Sequence, residues 1–343
     1  MVTVRLVLLG FGNVGRALAR LIGAKHAEVE DRYGLDLSVV AIATGRHGVA
    51  KDDRGLDLTL ALKIQEEGGN LAELTEGEST SDILRLLEGI EAEVVLESIP
   101  VDYQNGQPAI EYLETVLRRG IHAITSNKGP VVHGYRALSE LARVNGSRFL
   151  FEATVMDGTP IFSTWRECMP GAQLTSFRGV LNSTTNFLLT EMEAGNSFEV
   201  ALKKAQAIGI VETDPSGDID GWDAAIKVAA LATVLMDDPL DIQDVEREGI
   251  GKLDADQVTK AARDGQRWKL VCSGWRENGK VRGRVRPERV GPEDPLYQLR
   301  GTSSSITFTS DVLGDLTFVG ADPGPSTTAY GMLADLLNAV RAE

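Results

Sequence analysis

A β-rich run, Val4 to Leu9, passes without a spacer into Gly10-Phe11-Gly12-Asn13-Val14-Gly15, and Arg16 to Ile22 follows with helical spacing. That junction restricts the fold more than anything else in the chain. G-x-G-x-x-G alone is a weak signal, but between a strand and a helix each glycine has a task. Gly10 permits the tight turn, Gly12 lets a pyrophosphate approach the backbone, and Gly15 lets the helix pack on the strand. The helix N-terminus then offers free N–H groups and a positive dipole end to phosphates. The run predicts a Rossmann-type dinucleotide site using Gly10, Phe11, Gly12, Asn13, Val14 and Gly15; the competing reading is a purely structural glycine turn.

Leu37 to Thr44 is the second strand, followed by Thr44-Gly45-Arg46-His47. A site for the non-phosphorylated cofactor usually places Asp or Glu on the ribose at this point. Here there is an arginine and no acid, which favours NADP over NAD, with Thr44 and Arg46 beside the ribose. Arg46 as a solvated loop residue is the alternative. Residues 46–82 read as loops around one or two short helices. Val94–Ser98 is a third strand, Pro108–Arg119 a helix closed by Gly120, and His122–Thr125 a fourth strand ending in Ser126-Asn127-Lys128-Gly129-Pro130. Tyr135–Val144 is another helix and Arg148–Phe151 a fifth strand. Strands alternating with helices give an α/β fold with a parallel, doubly wound sheet. Ligands bind such sheets at the carboxyl ends of strands, where Ser98, Ser126 and Lys128 fall.

Residues 152–163 are small and turn-rich and suggest a crossover to a second domain. Thr175–Thr190 holds a strand, then Asn182-Ser183-Thr184-Thr185-Asn186, then the start of a helix. The polar run either caps that helix or offers donors to a substrate carboxylate, or both. Asn196–Ile208 is an amphipathic helix ending at Gly209, with Asn196 as cap and Glu199 as its third residue. An acidic turn follows, carrying Glu212, Asp214, Asp218, Asp220 and Asp223, and from Ala224 to Met236 the next helix is apolar except for Lys227. A helix apolar all round is usually buried, and a buried charge must be paired or put to use. Asp223 and Lys227 lie four apart and share a helical face. An ordinary surface ion pair is the bland alternative; a dry lysine beneath carboxylates is a site for a small cationic substrate. Further on, Asn278-Gly279 signals a hairpin, Ile306–Thr309 and Leu316–Val319 are strands, and Thr327–Val340 is a final helix. The second domain is therefore α+β.

Composition excludes several functions. A net charge of −15 argues against nucleic acid and anionic membranes as partners. Cys168 and Cys272 form neither a disulfide framework nor a zinc spacing, which suits a reducing cytoplasm, and the scattered His26, His47, His122 and His133 make no metal pair. No apolar run reaches membrane-spanning length, and the N-terminus lacks a cleavage-site pattern. The expectation is a soluble, cytoplasmic protein.

Several stretches together carry a family likeness: GFGNVG, SNKGP at 126–130, EATV at 152–155, LNSTTNFLL at 181–189, GIVETDPSGDIDGWDAAIK at 209–227 and PGPSTTAYGMLADL at 323–336. Across nearly its whole length the chain resembles homoserine dehydrogenase. The resemblance implies reversible reduction of aspartate 4-semialdehyde to homoserine with NADPH or NADH, on the route to threonine and methionine. It implies that Lys128 and Lys227 face the reacting oxygen with Asp223 beside it, that Glu212 and Asp218 hold the substrate ammonium, and that Ser183 and Thr184 meet its carboxylate. It also implies a homodimer joined through the second domain, and a last helix that returns to the nucleotide domain. The expected boundaries are 1–150 with 321–343 for the first domain and 151–320 for the second. Because Glu343 lies only a few residues past the last helix, a form without an attached regulatory domain is expected.

The chain departs from the family pattern in places. Ser183 stands where N-G-T-T has glycine. Gly320-Ala321-Asp322-Pro323-Gly324 replaces a G-x-G-A-G run, so that Pro323 removes an N–H and Asp322 adds a charge near the expected cofactor contact Gly324. Many members hold a monovalent cation such as sodium on backbone oxygens that correspond to Glu152, Val155, Asp157 and Thr159, and Met156-Asp157 is atypical there. The chemistry suits lysine: hydride delivery to an aldehyde develops negative charge on oxygen, which an ammonium stabilises and can protonate. Rival readings are another amino-acid dehydrogenase of the same architecture and a non-catalytic dinucleotide sensor.

Overall fold

In the computed structural model, residues 1–75, 81–211 and 214–341 are described. The chain forms two compact units, Met1–Gly158 with Pro325–Glu343, and Thr159–Gly324. The first begins β1 (Val2–Leu9), α1 (Asn13–Tyr33), β2 (Leu35–Ala43), β3 (Val49–Lys51), α2 (Leu58–Glu66) and α3 (Ile83–Gly89). It continues β4 (Val94–Glu97), α4 (Ala109–Arg118), β5 (His122–Thr125), α5 (Lys128–Val144) and β6 (Phe149–Leu150).

Its sheet runs in the order β3-β2-β1-β4-β5-β6. Every pair is parallel except β2–β3, which is antiparallel. Sequence reasoning read residues 46–82 as loops and helices and expected no such edge. The reason is local: the Thr44 N–H and hydroxyl both donate to the Gly48 carbonyl, each at 3.0 Å, and turn the chain back on β2. Lys128 was expected in a turn before a helix starting near Tyr135, yet it is the first residue of α5. The Asn127 side chain caps that helix by accepting the Gly129 N–H at 2.9 Å. Pro130 is harmless because the first turn of a helix has no acceptor for its N–H groups.

The second unit contains α6 (Ile161–Ser163), β7 (Leu174–Val180), α7 (Ser183–Glu193), α8 (Phe198–Ala207), α9 (Ser216–Ile219) and α10 (Trp222–Leu235). Then come β8 (Glu246–Arg247), α11 (Ala255–Arg263), β9 (Arg267–Glu277), β10 (Lys280–Val290), β11 (Ser304–Ser310) and β12 (Gly314–Gly320). The strand order is β12-β11-β7-β9-β10-β8, an independent sheet of its own. The β9–β10 hairpin closes on Asn278 and Gly279, both left-handed with φ of 52° and 80°, as the I′ turn requires. The cap of α8 is Ser197, which accepts the Val200 N–H at 3.3 Å, and not Asn196. The Asn196 amide is diverted to the Glu191 carboxylate at 2.9 Å.

Helices α7, α10 and α11 pack against this sheet. Strand alternation sends Arg178, Trp275, Arg284, Thr307 and Thr317 to one face, together with Lys269, whose ammonium reaches Asn186 of α7. The chain then returns to the first unit as α12 (Pro325–Val340), whose Ala329, Met332, Leu333 and Leu336 join Leu18 and Ile22 of α1 in one buried core. No helix among the described residues is long and apolar enough to cross a membrane.

Candidate active site

In the first unit the strand ends converge on the glycine loop. Gly10 has φ +93°, and a Cβ there would sit 2.7 Å from the Ser98 carbonyl oxygen; one at Gly15 would sit 2.4 Å from the Gly10 oxygen. No other residue fits either position. A Cβ at Gly12 would meet nothing within 4 Å, so the space above it is open. Gly12 is also the N-cap of α1 and supplies no side-chain cap, and the first turn carries no acid. The N–H groups of that turn are thus left for an anion. A dinucleotide pyrophosphate fits these residues. Phe11 is buried under the loop, and the Asn13 side chain accepts the Arg16 guanidinium at 2.9 Å, while Val14 packs on the core.

The other expected cofactor residues lie at neighbouring strand ends. Thr44 holds the turn after β2, and its hydroxyl accepts the His47 N–H at 2.8 Å. Arg46 is exposed in that turn, with no hydrogen bond or ion pair among the described residues. Ser98 follows β4, donating its N–H to Leu9 at 2.7 Å and its hydroxyl to Gly10 at 3.5 Å. Ser126 follows β5 and donates its N–H to the Glu97 carbonyl at 3.1 Å, and Lys128 begins α5 half-buried.

The second unit brings the acidic stretch onto the polar run. Lys227 on α10 ion-pairs with Asp223 at 2.9 Å, and its ammonium also donates to the Leu181 carbonyl at 2.6 Å. The pair is mostly buried, with side chains 14% and 17% exposed. It is therefore no ordinary surface ion pair. The Asn182 amide donates to Asp218 at 2.6 Å and to Asp223 at 3.0 Å, while its oxygen accepts the Thr185 N–H at 2.8 Å. Asn182 is both the cap of α7 and the clamp that holds two carboxylates side by side. Burial raises the Asp218 carboxyl, Asp223 raises it further, and hydrogen bonds from Asn182 and Thr184 together with Lys227 pull it back. The Thr184 hydroxyl also reaches the Ile210 carbonyl at 3.1 Å. With Thr185 taken by the cap, the N–H groups of Ser183 and Thr184 have no acceptor among the described residues. Behind this cluster burial pushes the Cys272 thiol up to about 12, so it stays neutral.

Of the residues that the sequence groups, Asp218, Asp223 and Lys227 are linked here through Asn182 and the Asp223–Lys227 pair, and the Thr184 hydroxyl lies against Asp218. Asn182 reads from sequence only as part of a polar run that caps the helix or offers donors, and not as the clamp on Asp218 and Asp223. Sequence reasoning passed over Glu97 and Asn127, which organise the turn before Lys128. Glu212 lies outside the described residues. Gly324 immediately precedes α12. Glu152, Val155 and Asp157 lie at the end of the first unit: the Glu152 N–H donates to Asp335 at 2.7 Å, and Asp157, with φ 51°, accepts the Thr328 hydroxyl at 2.8 Å. Thr159 is the first residue of the second unit.

Known proteins resemble the whole of this arrangement. A family model described as "Homoserine dehydrogenase, NAD binding domain" matches residues 10–152, and one described as "Homoserine dehydrogenase" matches residues 160–337. An NAD(+)-dependent homoserine dehydrogenase of Pseudomonas canavaninivorans is 35% identical over 98% of this chain and 96% of its own. A homoserine dehydrogenase of Methanocaldococcus jannaschii is 34% identical over 97% of each chain. A hyperthermophilic archaeal homoserine dehydrogenase solved in complex with NADPH superposes with a TM-score of 0.82 at 31% identity, covering 98% of this chain and 97% of its own.

Proposed function

We infer the chemistry from one premise: the chain belongs to the homoserine dehydrogenase family. It is an NAD(P)-dependent oxidoreductase that interconverts L-homoserine and L-aspartate 4-semialdehyde in the biosynthesis of threonine, methionine and isoleucine. When bound, the nicotinamide supplies the hydride. Gly10, Gly12 and the uncapped first turn of α1 would hold its pyrophosphate, with Thr44, Ser98, Ser126 and Gly324 contributing around it. Everything else falls to side chains and backbone N–H groups of this protein.

In our reading Lys227 and Lys128 serve the substrate oxygen, stabilising the charge that develops on it and exchanging a proton with it. Asp223 fixes the Lys227 ammonium and offsets its charge. Asp218, with Glu212, takes the substrate ammonium, and the free N–H groups of Ser183 and Thr184 take its carboxylate. The observation that carries this is the Lys227 ammonium, held at 2.9 Å from Asp223 and 2.6 Å from the Leu181 carbonyl on a helix whose other residues from Ala224 on carry no charge. The test is turnover of homoserine with NADP and with NAD, followed by nicotinamide absorbance. A well-folded Lys227→Ala enzyme with wild-type turnover would overturn the assignment.

Three finer points belong to the same reading. NADP is used at least as well as NAD, supported by the exposed Arg46, unpaired among the described residues, and by the lack of an acid in Thr44-Gly45-Arg46-His47 after β2. The protein acts as a homodimer through residues 151–320, with 1–150 and the returning helix 321–343 serving the nucleotide. Trp275, Arg284 and Thr307, half-exposed along one face of the second sheet, support this. A cytoplasmic location agrees with two free cysteines, Cys168 and Cys272. Sedimentation of the full chain tests the dimer.

A further inference from the structure

We infer that Glu97 is a positioning residue whose buried carboxylate fixes the turn from which Lys128 emerges; this rests on the reading of Lys128 given above. Glu97 is the last residue of β4, completely buried, in register with Leu9 of β1 and Thr125 of β5. One carboxylate oxygen accepts the Thr125 hydroxyl at 2.5 Å. The other accepts the Ile99 N–H at 2.7 Å and the Asn127 amide at 3.4 Å. The Thr125 oxygen in turn accepts the Asn127 N–H at 2.9 Å, and the Asn127 oxygen accepts the Gly129 N–H at 2.9 Å. The backbone oxygen of Glu97 holds Ser126. Each residue flanking Lys128 is thus tied to Glu97 directly or through one intermediate.

The far side of the turn is held as well. A Cβ at Gly129 would lie 2.9 Å from the Gly106 Cα, so the two backbones touch. The loop bearing Gly106 is closed by the Asp102 carboxylate, which accepts the N–H groups of Gln104, Asn105 and Gly106 at 3.0, 2.8 and 3.2 Å. A lysine side chain is long and loses rotamer freedom when it is aimed, so the root of Lys128 must not move if its ammonium is to meet one oxygen.

A buried carboxylate usually has a cationic partner. The groups that act on Glu97 are a hydroxyl, a backbone N–H and an amide, none of them charged, and the neighbours in register, Leu9 and Thr125, are uncharged too. Lys128 is the one ionisable residue of the turn itself. Burial pushes the Glu97 carboxyl up to about 7 against those hydrogen bonds. All three neighbours donate to it; only the Thr125 hydroxyl can turn round to accept from a protonated Glu97, and that changes the bond on which the Asn127 N–H also rests.

The test uses Glu97→Leu and Glu97→Gln, each alone and combined with Lys128→Ala, with kcat and KM for homoserine and NADP measured across neutral pH and melts recorded alongside. Glu97→Leu should lower kcat at least about tenfold, the scale of a small misplacement of a catalytic group, with KM for NADP changed by less than about threefold. The wild type should show an inflection in kcat near neutral pH; Glu97→Gln should restore most of kcat and remove that inflection. Added to Lys128→Ala, Glu97→Leu should cost much less than it does alone, since groups acting as a unit are non-additive. A folded Glu97→Leu enzyme with wild-type kcat, beside a Lys128→Ala enzyme that has lost activity, sinks this inference alone. Wild-type turnover in Lys128→Ala sinks the reading of Lys128 and this inference with it. Equal losses in both backgrounds would mean that Glu97 acts elsewhere. Should the leucine variant not fold, an unchanged pH profile in Glu97→Gln overturns the inference.

Discussion

Lys269 on β9 offers a stability test that is independent of catalysis. It is completely buried, and its ammonium donates to the Asn186 side chain at 2.7 Å and the Leu299 carbonyl at 2.6 Å. Burial lowers it from 10.5 to about 8, Glu193 raises it, and Arg267 and Arg300 lower it. Burial raises the Glu193 carboxyl in turn. Both charged forms are therefore disfavoured, and desolvation outweighs their mutual attraction. The sign follows from the direction of the lysine shift. Below pH about 8 Lys269 is protonated folded and unfolded; between there and 10.5 the unfolded chain keeps a proton that the folded one has released, so stability rises with pH. At 1.36 kcal/mol per unit the full gain is about 3 kcal/mol, and roughly 2 kcal/mol of it is reached by about pH 9.5. Lys269→Met removes that gain and leaves two buried acceptors unmet, each costing about 1–3 kcal/mol. Near neutral pH, relief of the buried charge and loss of the two bonds come close to cancelling. The gap in favour of the wild type should then widen by about 2 kcal/mol on going to alkaline pH. Urea unfolding of both proteins over this range, followed by far-UV circular dichroism, measures it. Curves that stay parallel would refute the reasoning.

Lys128→Ala and Lys227→Ala should each lower turnover at least about a hundredfold. Their double variant should lose much less than the product, as kcat measurements on folded proteins will tell. Arg46→Ala should weaken NADP binding and leave NAD nearly unchanged; calorimetry that finds equal losses for the two cofactors removes the phosphate role. Glu212→Gln should raise KM for homoserine more than it lowers kcat, and the wild type should reject 4-hydroxybutyrate, which lacks the ammonium. Comparable turnover of the two substrates would show that assignment wrong.

What was legible in the sequence was what local spacing encodes. The strand, glycine loop and helix follow one another directly, and Asp223 with Lys227 needs only the helical repeat to be seen as a pair. Asn182 was not legible as a clamp, because its partners Asp218 and Asp223 arrive through tertiary folding. The antiparallel turn of β3 depends on a threonine hydroxyl bonding back to Gly48, a competition that β-propensity does not register. Lys128 looked like a turn residue because Gly129-Pro130 reads as a helix breaker, whereas both are tolerated in the first turn once Asn127 caps it. Glu97 could not be singled out at all: an acid at a strand end is ordinary until three donors are found around it.

The first unit is not continuous in sequence, and that has a consequence for how the chain is made. Gly158 and Thr327 lie side by side, so that a Cβ on Gly158 would come 2.4 Å from the Thr327 oxygen; the chain leaves this unit and re-enters it at one spot. Until α12 emerges from the ribosome, Leu18 and Ile22 of α1 have no Met332, Leu333 or Leu336 to bury them. If Thr159–Gly324 were still unstructured at that moment, closing it as a loop would cost roughly 4–5 kcal/mol of chain entropy. A segment that has already folded brings its own ends into place and removes most of that penalty. The inserted unit is thus placed to fold first, and the nucleotide-binding half, although synthesised earliest, to be finished last.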